Sequence, residues 1–235
     1  MYVVMYQLIK MHTKFITVIP ARGGSKRFPG KNIFPLNKKP LINYSIEYAL
    51  NNPLSSVVYV STDNPEIAKV AEIAGAKILW RPEILSGDFV STAATLQHVG
   101  KELQNNGIEF NYLILLQATN PLRPENMLTD AIEIMETNSC DSLMTVSPSY
   151  KKLGKIIDNR FMPWNYKFGQ RSQDMEPLYY ENGLLYITQK ELILNGVISG
   201  ENMYPMIIDH IYASVDIDTI DDLKYAEYII QQSKK

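Results

Sequence analysis

Phe15-Ile16-Thr17-Val18-Ile19 runs directly into Pro20-Ala21-Arg22-Gly23-Gly24-Ser25-Lys26-Arg27-Phe28-Pro29-Gly30-Lys31-Asn32. The first five residues, apolar except for one threonine, read as a buried strand. In the loop that follows, four cations (Arg22, Lys26, Arg27, Lys31) fall within ten residues, interleaved with three glycines and a serine. Glycine lets backbone N–H groups turn inward and approach an anion closely, and the cations supply charge-assisted donors. A loop at the carboxyl end of a parallel strand is where α/β folds hold ligands, and a triphosphate is an anion of matching charge. A solvated turn is the plainer alternative. Two sharper ones fail on spacing. The P-loop pattern G-x-x-x-x-G-K-[ST] needs a glycine where Ser25 stands and a hydroxyl where Asn32 stands. Ile33-Phe34-Pro35-Leu36 also starts no helix cleanly, and the dinucleotide pattern G-x-G-x-x-G is absent.

Outward from the loop, short apolar runs alternate with amphipathic stretches, the rhythm of an α/β architecture. Residues 41–50 fit a helix and 56–61 a strand. Asp63-Asn64-Pro65-Glu66 then supplies a cap, a proline in the first turn and an early acid. Ile67, Val70, Ala71 and Ala74 follow at helical spacing, and Gly75 closes that helix. Residues 77–80 are a short strand, and 91–103 a helix with Leu96, Val99 and Leu103 on one face. Residues 112–117 form the central strand, ending in polar Gln117. A helix at 127–136 and a strand at 142–147 follow. Residues 148–181 break the rhythm with three prolines, two glycines and many aromatics, which marks a lid or interface arm. Regularity resumes at 184–188, 206–209 and 210–215, and a last helix runs from Thr219 to about Gln231. One domain over residues 14–235, with 148–181 as its arm and 1–13 as an extension, is the expected organisation.

At 235 residues with 46% apolar and 20% charged side chains, the chain is long enough for one sizeable core and is not of disordered composition. Formal charge is −2, from 23 basic and 25 acidic residues, so no global field draws it to nucleic acid or membrane. Cys140 is the only cysteine, and His12, His98 and His210 lie far apart, which excludes a disulfide framework and a Cys/His zinc site. No run reaches the ~18 apolar residues of a membrane span, and the short apolar runs ahead of Lys10 do not make a secretory signal. A reducing cytoplasm is the expected setting. Met11 serves equally well as a start, with residues 1–10 an upstream extension.

Asp216 and Asp218 alternate on an extended segment, which puts both carboxylates on one face. Two hard oxygen donors suit Mg²⁺, which takes one or two carboxylates plus phosphate oxygens. An Asp-x-Asp read alone is also a helix cap beside a solvated acid, and Asp218 does precede the last helix. Asp221 and Asp222 read as first-turn acids with a structural role.

The loop resembles the signature of the sugar-activating cytidylyltransferases, specifically the acylneuraminate branch. The related 3-deoxy-manno-octulosonate cytidylyltransferases share A-R-x-x-S-K-R-x-P-x-K but usually lack the following asparagine, so Asn32 favours the acylneuraminate side. The resemblance recurs in order across residues 15 to about 230, through Arg81-Pro82, Leu115-Leu116-Gln117-Ala118-Thr119-Asn120-Pro121-Leu122-Arg123, Asn182-Gly183 and Asp216-Ile217-Asp218.

That resemblance implies a three-layer αβα sandwich with a mostly parallel sheet, and an arm that pairs two subunits into a homodimer and completes the neighbour's sugar site. It implies transfer of CMP from CTP to the anomeric hydroxyl of a nine-carbon 2-keto sugar acid, with Mg²⁺ as cofactor and pyrophosphate released. Arg22, Gly23, Ser25, Lys26 and Lys31 would meet the triphosphate, and Asn32 would help place the nucleotide. Lys26 would stabilise developing charge. Asp216 and Asp218 would bind the metal, Asp218 being the stronger candidate and, with Lys26, the catalytic pair. Arg81, Ser91 and Thr92 would hold the nucleotide, although a surface salt bridge explains Arg81 and capping explains Ser91 and Thr92. Gln117, Lys155, Arg171, Asn182 and Tyr186 would contact the sugar acid, Arg171 at its carboxylate. Strand-end pairing is the plain reading of Gln117, and a salt bridge at a helix start that of Arg123.

The chain departs from the family pattern at Arg171-Ser172-Gln173, with a longer run to Pro177, and at Tyr179-Tyr180-Glu181 ahead of Asn182-Gly183. Sialic, legionaminic and pseudaminic acids are all open as the sugar. A 3-deoxy-manno-octulosonate enzyme and a nucleotide-binding module without turnover are the alternatives. Asn32 and Asp216 weigh against the first, and intact Lys26, Asp216 and Asp218 against the second.

Overall fold

Strand β1 (Phe15–Pro20) shows how the layers form. Alternate side chains leave opposite faces of a strand. Phe15 and Ile19 accordingly join one apolar cluster, while Ile16 and Val18 join another on the far side. Thr17 is fully buried between them, and its hydroxyl lies 2.7 Å from that of Ser55. The structure, a computed structural model, describes residues 14–233; the extension expected at 1–13 lies outside the described residues.

The first half of the chain continues with β2 (Pro35–Leu36), β3 (Lys39–Pro40), α1 (Leu41–Leu50), β4 (Ser55–Thr62), α2 (Pro65–Ile73), β5 (Lys77–Trp80), α3 (Thr92–Asn105) and β6 (Tyr112–Leu115). The second half adds α4 (Met127–Thr137), β7 (Ser142–Ser149), β8 (Gly154–Ile157), β9 (Arg160–Pro163), β10 (Leu178–Gln189), α5 (Lys190–Leu194), β11 (Met203–Ile207) and α6 (Ile220–Gln232). The first cluster packs α1, α2 and α4 on one sheet face, and the second packs α3 and α5 on the other. The result is a three-layer α/β sandwich.

The main sheet has seven strands in the order β11-β7-β10-β6-β1-β4-β5. Its β1–β4, β1–β6, β4–β5 and β7–β11 pairings are parallel, and β10 alone runs against both of its neighbours. From β1 the chain builds outward through β4 and β5, then crosses back to place β6 on the other side of β1. That reversal opens a crevice at the carboxyl ends of β1 and β6, where open α/β sheets bind ligands.

Local chemistry sets several boundaries. Asn64 caps α2 by accepting hydrogen bonds from the backbone N–H groups of Glu66 and Ile67, and Pro65 opens the helix. Thr219 caps α6 in a reciprocal box with Asp222. Asp218 is therefore not the cap, which corrects one of its two plain readings. Strand β6 stops two residues short of Gln117, although the Leu116 N–H still donates to the Val18 carbonyl. Residues 211–214 form a 3-10 turn rather than a strand, because the His210 ring accepts the Tyr212 N–H and curls the backbone.

The irregular stretch is shorter than expected. Strand β7 extends to Ser149 and β10 begins at Leu178, the two residues pairing in register. Between them, β8 and β9 make a hairpin whose strands pair only with each other in the sheet pattern.

A third apolar cluster sits beside the crevice, where Phe28, Leu36, Leu41 and Leu122 meet Val215, Ile217 and the inner face of α6. Residues 215–218 form no strand, yet Val215 and Ile217 are buried while Asp216 and Asp218 face outward. Burying a side chain such as Ile217 contributes ~1.5–3 kcal/mol, and it fixes the two aspartates on one side of the segment.

Candidate active site

The loop after β1 is closed on itself before any ligand is considered. Asn32 is buried, and its side-chain amide donates to the Arg22 carbonyl at 3.0 Å, tying the two ends of the loop together. The Gly23 N–H donates to Asp63 Oδ1 at 2.9 Å. A Cβ at Gly23 would lie 2.8 Å from Asn64 Nδ2, so the close approach to the start of α2 requires glycine. Gly30 holds a left-handed φ of 69° that lets the chain turn back toward Lys31.

All four loop cations end on two carboxylates. Lys31, mostly buried, donates to Asp218 Oδ1 at 2.6 Å and to the Ile217 carbonyl at 3.1 Å. Arg27, though largely exposed, reaches Asp218 Oδ2 at 2.5 Å. Arg22 lies 3.0 Å from Asp88 Oδ1, and Lys26 pairs with the other oxygen of the same carboxylate. Lys26 and then Arg22 hold the Asp88 carboxyl below the usual aspartate range. Sequence reasoning missed Asp88, whose only signal was an acid in the loop after Arg81-Pro82.

Arg81 forms no surface salt bridge. It is buried, and its guanidinium donates to the Ser61 carbonyl at 2.7 Å and to the Ser61 hydroxyl at 3.3 Å. Burial lowers its pKa, nearby Asp63 opposes that shift, and Arg22 adds to it. A cavity of about 230 Å³ opens here between Pro20, Arg22, Arg81, Asp88, Val90 and Thr92. Ser91 caps α3 by accepting the Ala94 N–H at 3.1 Å, while Thr92 and Thr95 line the cavity. Ser25 lies on the same loop, its N–H turned back onto the Gly23 carbonyl.

Asp216 is exposed by residue surface, yet protein atoms crowd its carboxylate within the concave wall, and reduced access to water raises its pKa. Repulsion from Asp218 and Asp222 adds to the rise, while Thr119 and Lys31 oppose it. Among the described residues no group of three or more His, Cys, Asp or Glu can hold a metal unaided. The donor set is two adjacent carboxylates, one of them destabilised as an anion. It fits a hard cation that draws its remaining ligands from phosphate and water, as Mg²⁺ does.

Across the crevice, β10 is interrupted. Glu181 pairs opposite Val146 and Tyr186 opposite Met144, so residues 182–185 form a bulge. Asn182 holds it from inside, accepting from the Thr145 hydroxyl at 2.6 Å and the Leu184 N–H at 3.1 Å, and donating to Ser147 at 3.0 Å. The expected sugar contact from Asn182 is thus replaced by a positioning role. Gly183, at φ 76°, sits where a Cβ would press within 3.1 Å of Asn120 and 3.3 Å of Gln117. The bulge brings Tyr186 beside Glu181, to which its hydroxyl donates. Burial first, and Glu181 second, raise the tyrosine pKa strongly. Gln117, Glu181, Tyr186, Leu115, Ser199 and Thr92 line a cavity of about 260 Å³.

Arg123 has no carboxylate partner among the described residues. It is buried, and donates to the Leu184 carbonyl, the Ser45 hydroxyl and the Gln117 carbonyl, each at 2.9 Å. Burial lowers its pKa to about 10. The salt-bridge reading gives way to a clamp that joins the end of β6 to the bulge of β10.

A protein-family model described as Cytidylyltransferase matches residues 16–234. The chain belongs to the cytidylyltransferase family. It is 34% identical over 232 residues to CMP-N,N'-diacetyllegionaminic acid synthase of Legionella pneumophila, covering 94% of this chain and 98% of that protein. It is 34% identical over 223 residues to pseudaminic acid cytidylyltransferase of Campylobacter jejuni, covering 92% and 96%. In fold it matches the structure of CMP:2-keto-3-deoxy-manno-octonic acid synthetase complexed with CTP, at a TM-score of 0.73 and 18% identity, over 94% of this chain and 100% of that one.

In this cytidylyltransferase two of the expected sugar-acid residues stand apart from the cleft. Lys155 is exposed on β8, and Arg171 makes a bidentate pair with Asp174 at 2.7 and 2.9 Å. Among the described residues neither bonds to a cleft side chain. The β8–β9 hairpin that carries Lys155 exposes Ile156, Ile157, Phe161 and Met162, followed by Trp164. No helix among the described residues is long and apolar enough to cross a membrane.

Proposed function

We propose that this cytidylyltransferase transfers CMP from CTP to the anomeric hydroxyl of a nine-carbon 2-keto sugar acid of the sialic, legionaminic or pseudaminic type. The observation that carries this reading is the convergence of four loop cations and two adjacent aspartates at the sheet's switch point. The names carried by the relatives at 34% identity support the substrate class.

The sugar hydroxyl oxygen forms a bond to the α-phosphorus, the bond from that phosphorus to its bridging oxygen breaks, and pyrophosphate leaves. Such a transfer asks for alignment and charge neutralisation more than for covalent help from the protein. Arg22, Lys26 and Lys31 neutralise the triphosphate, the Gly23–Ser25 backbone approaches it closely, and Lys26 stabilises the charge that develops on the leaving group. Asn32 acts through the loop it closes. Arg81 and Thr92 bound the cavity beside the loop, which suits a pyrimidine. Asp216 and Asp218 would hold Mg²⁺, which when bound supplies charge neutralisation on the phosphates. Gln117 and Tyr186 offer an amide and a hydroxyl to the polar sugar.

The arm pairs two copies of the chain, so that Lys155 and Arg171 of one complete the sugar site of the other. Its exposed apolar side chains support that homodimer. The single buried cysteine supports a reducing, cytoplasmic setting.

The test is pyrophosphate release from CTP with Mg²⁺, offering sialic, legionaminic, pseudaminic and 3-deoxy-manno-octulosonic acids in parallel. Turnover with one nine-carbon acid is the expected result. Turnover with the eight-carbon acid alone would overturn the substrate class, and silence with CTP bound would leave a nucleotide-binding module.

A further inference from the structure

We propose that Asp88 is a built-in competitor of the triphosphate, occupying between Arg22 and Lys26 the place of a phosphate oxygen and returning there as pyrophosphate leaves. The inference rests on the reading that Arg22 and Lys26 hold the triphosphate.

Three observations carry it. Each oxygen of the Asp88 carboxylate faces a different cation of the loop, Arg22 at 3.0 Å on one side and Lys26 on the other. This is how a phosphate presents its oxygens to two cations. Second, those two cations are its whole anchorage. Among the described residues no backbone N–H and no hydroxyl donates to the carboxylate. Its neighbour Phe89 is fully exposed and fixes nothing. Asp63 and Asp222, by contrast, are each held by backbone N–H groups, as structural acids are. Third, Asp88 lines the cavity next to the loop rather than standing outside it.

Ion pairs this accessible to water are weak and are exchanged readily for a more highly charged partner. A site whose competent form is only partly populated binds with an affinity reduced by that fraction. Asp88 therefore weakens CTP and pyrophosphate alike. The effect falls harder on turnover from the product side, because a carboxylate tethered beside the loop reclaims both cations when pyrophosphate departs.

The experiment is calorimetry of CTP and, separately, of pyrophosphate, each with Mg²⁺, on the wild-type enzyme, Asp88→Asn, Asp88→Ala, Asp88→Glu and the double variant Arg22→Ala/Lys26→Ala. Asp88→Asn and Asp88→Ala should tighten both ligands by about threefold to tenfold, the range that two exposed ion pairs command. Asp88→Glu should stay near wild type. The product-inhibition constant for pyrophosphate should fall by the same factor in Asp88→Asn, with the KM for the sugar acid unmoved. A loop merely disordered by the substitution would instead lose affinity. If the double variant binds CTP as well as wild type, the reading of Arg22 and Lys26 is wrong. If it binds poorly while both neutral Asp88 variants bind no tighter than wild type, Asp88 is no competitor.

Discussion

At the cleft, Lys31 is nearly enclosed and tied to a carboxylate and a carbonyl, whereas on the arm Lys155 stands exposed on a hairpin whose two strands pair only with each other. Arg123 and Arg171 repeat the contrast. The first is buried and bonded to three groups from different elements, and the second is exposed, its bonds going to an aspartate three residues away. One region is positioned by the core, and the other is held mainly by bonds within itself. On the proposed reading the first region is a nearly finished nucleotide half and the second an unfinished sugar-acid half, and that division of labour can be tested residue by residue.

The largest effect is expected at the finished half. Asp218→Ala should lower the rate of pyrophosphate release by at least about 100-fold, with the circular dichroism spectrum and melting temperature close to wild type. Unchanged turnover would remove Asp218 from the proposed metal site.

At the unfinished half, Ile156→Asp places a charge on a side chain that is 78% exposed in the single chain. It should yield a single-subunit mass in sedimentation and reduce sugar-acid turnover by about tenfold or more through misplacement of the partner's arm, while CTP affinity stays unmoved. A dimer of normal activity would show that the arm has another use.

Arg123→Met should leave the Leu184 carbonyl without its guanidinium donor and take one donor from the Gln117 carbonyl, which keeps the Ser45 hydroxyl and the Asn120 N–H, lowering stability by about 2 kcal/mol and the melting temperature by about 4–8 °C. Its KM for the sugar acid should rise more than its KM for CTP, because both carbonyls belong to elements lining the sugar cavity.

The smallest effect concerns Asp216. Its folded-state pKa is raised, so its contribution to stability is fully present below the ordinary aspartate value of about 3.9 and is lost as pH rises through the folded value. Asp216→Asn, which does not titrate, should match wild type in acid and exceed it above that window. Denaturant titrations across pH on metal-free protein check the crossover, and a constant gap would contradict it.

What the sequence revealed was local. Asn64, Pro65 and Gly75 bracket a helix within a dozen residues, and α2 lies where they place it. Residues 41–50 and 77–80 likewise carry their own period, and the elements match them end for end. The cationic loop was legible because its four charges fall within ten residues of one another. Asp88 was not, because its partners lie more than sixty residues earlier in the chain. The first part of β10 was hidden for another reason: Tyr179, Tyr180 and Glu181 all remain exposed there, so no inward–outward alternation marks the strand. Helix α5 has five residues, too few for a periodic signal. Asn182 was read as a substrate contact because the family resemblance implied it, and only the bulge around it shows that its polar atoms face inward.

The paired charges of the cleft bear on what the protein ignores. Arg22, Lys26, Arg27 and Lys31 share one rim with Asp63, Asp88, Asp216 and Asp218, four against four. A bare run of four cations would gather counter-anions of every kind, and long polyanions most strongly, since each neutralised phosphate adds to the gain from released salt ions. With its rim balanced, the loop projects little field beyond a Debye length of ~8 Å at physiological ionic strength. It discloses its charge only to an anion small enough to enter the crevice and displace the carboxylates one by one.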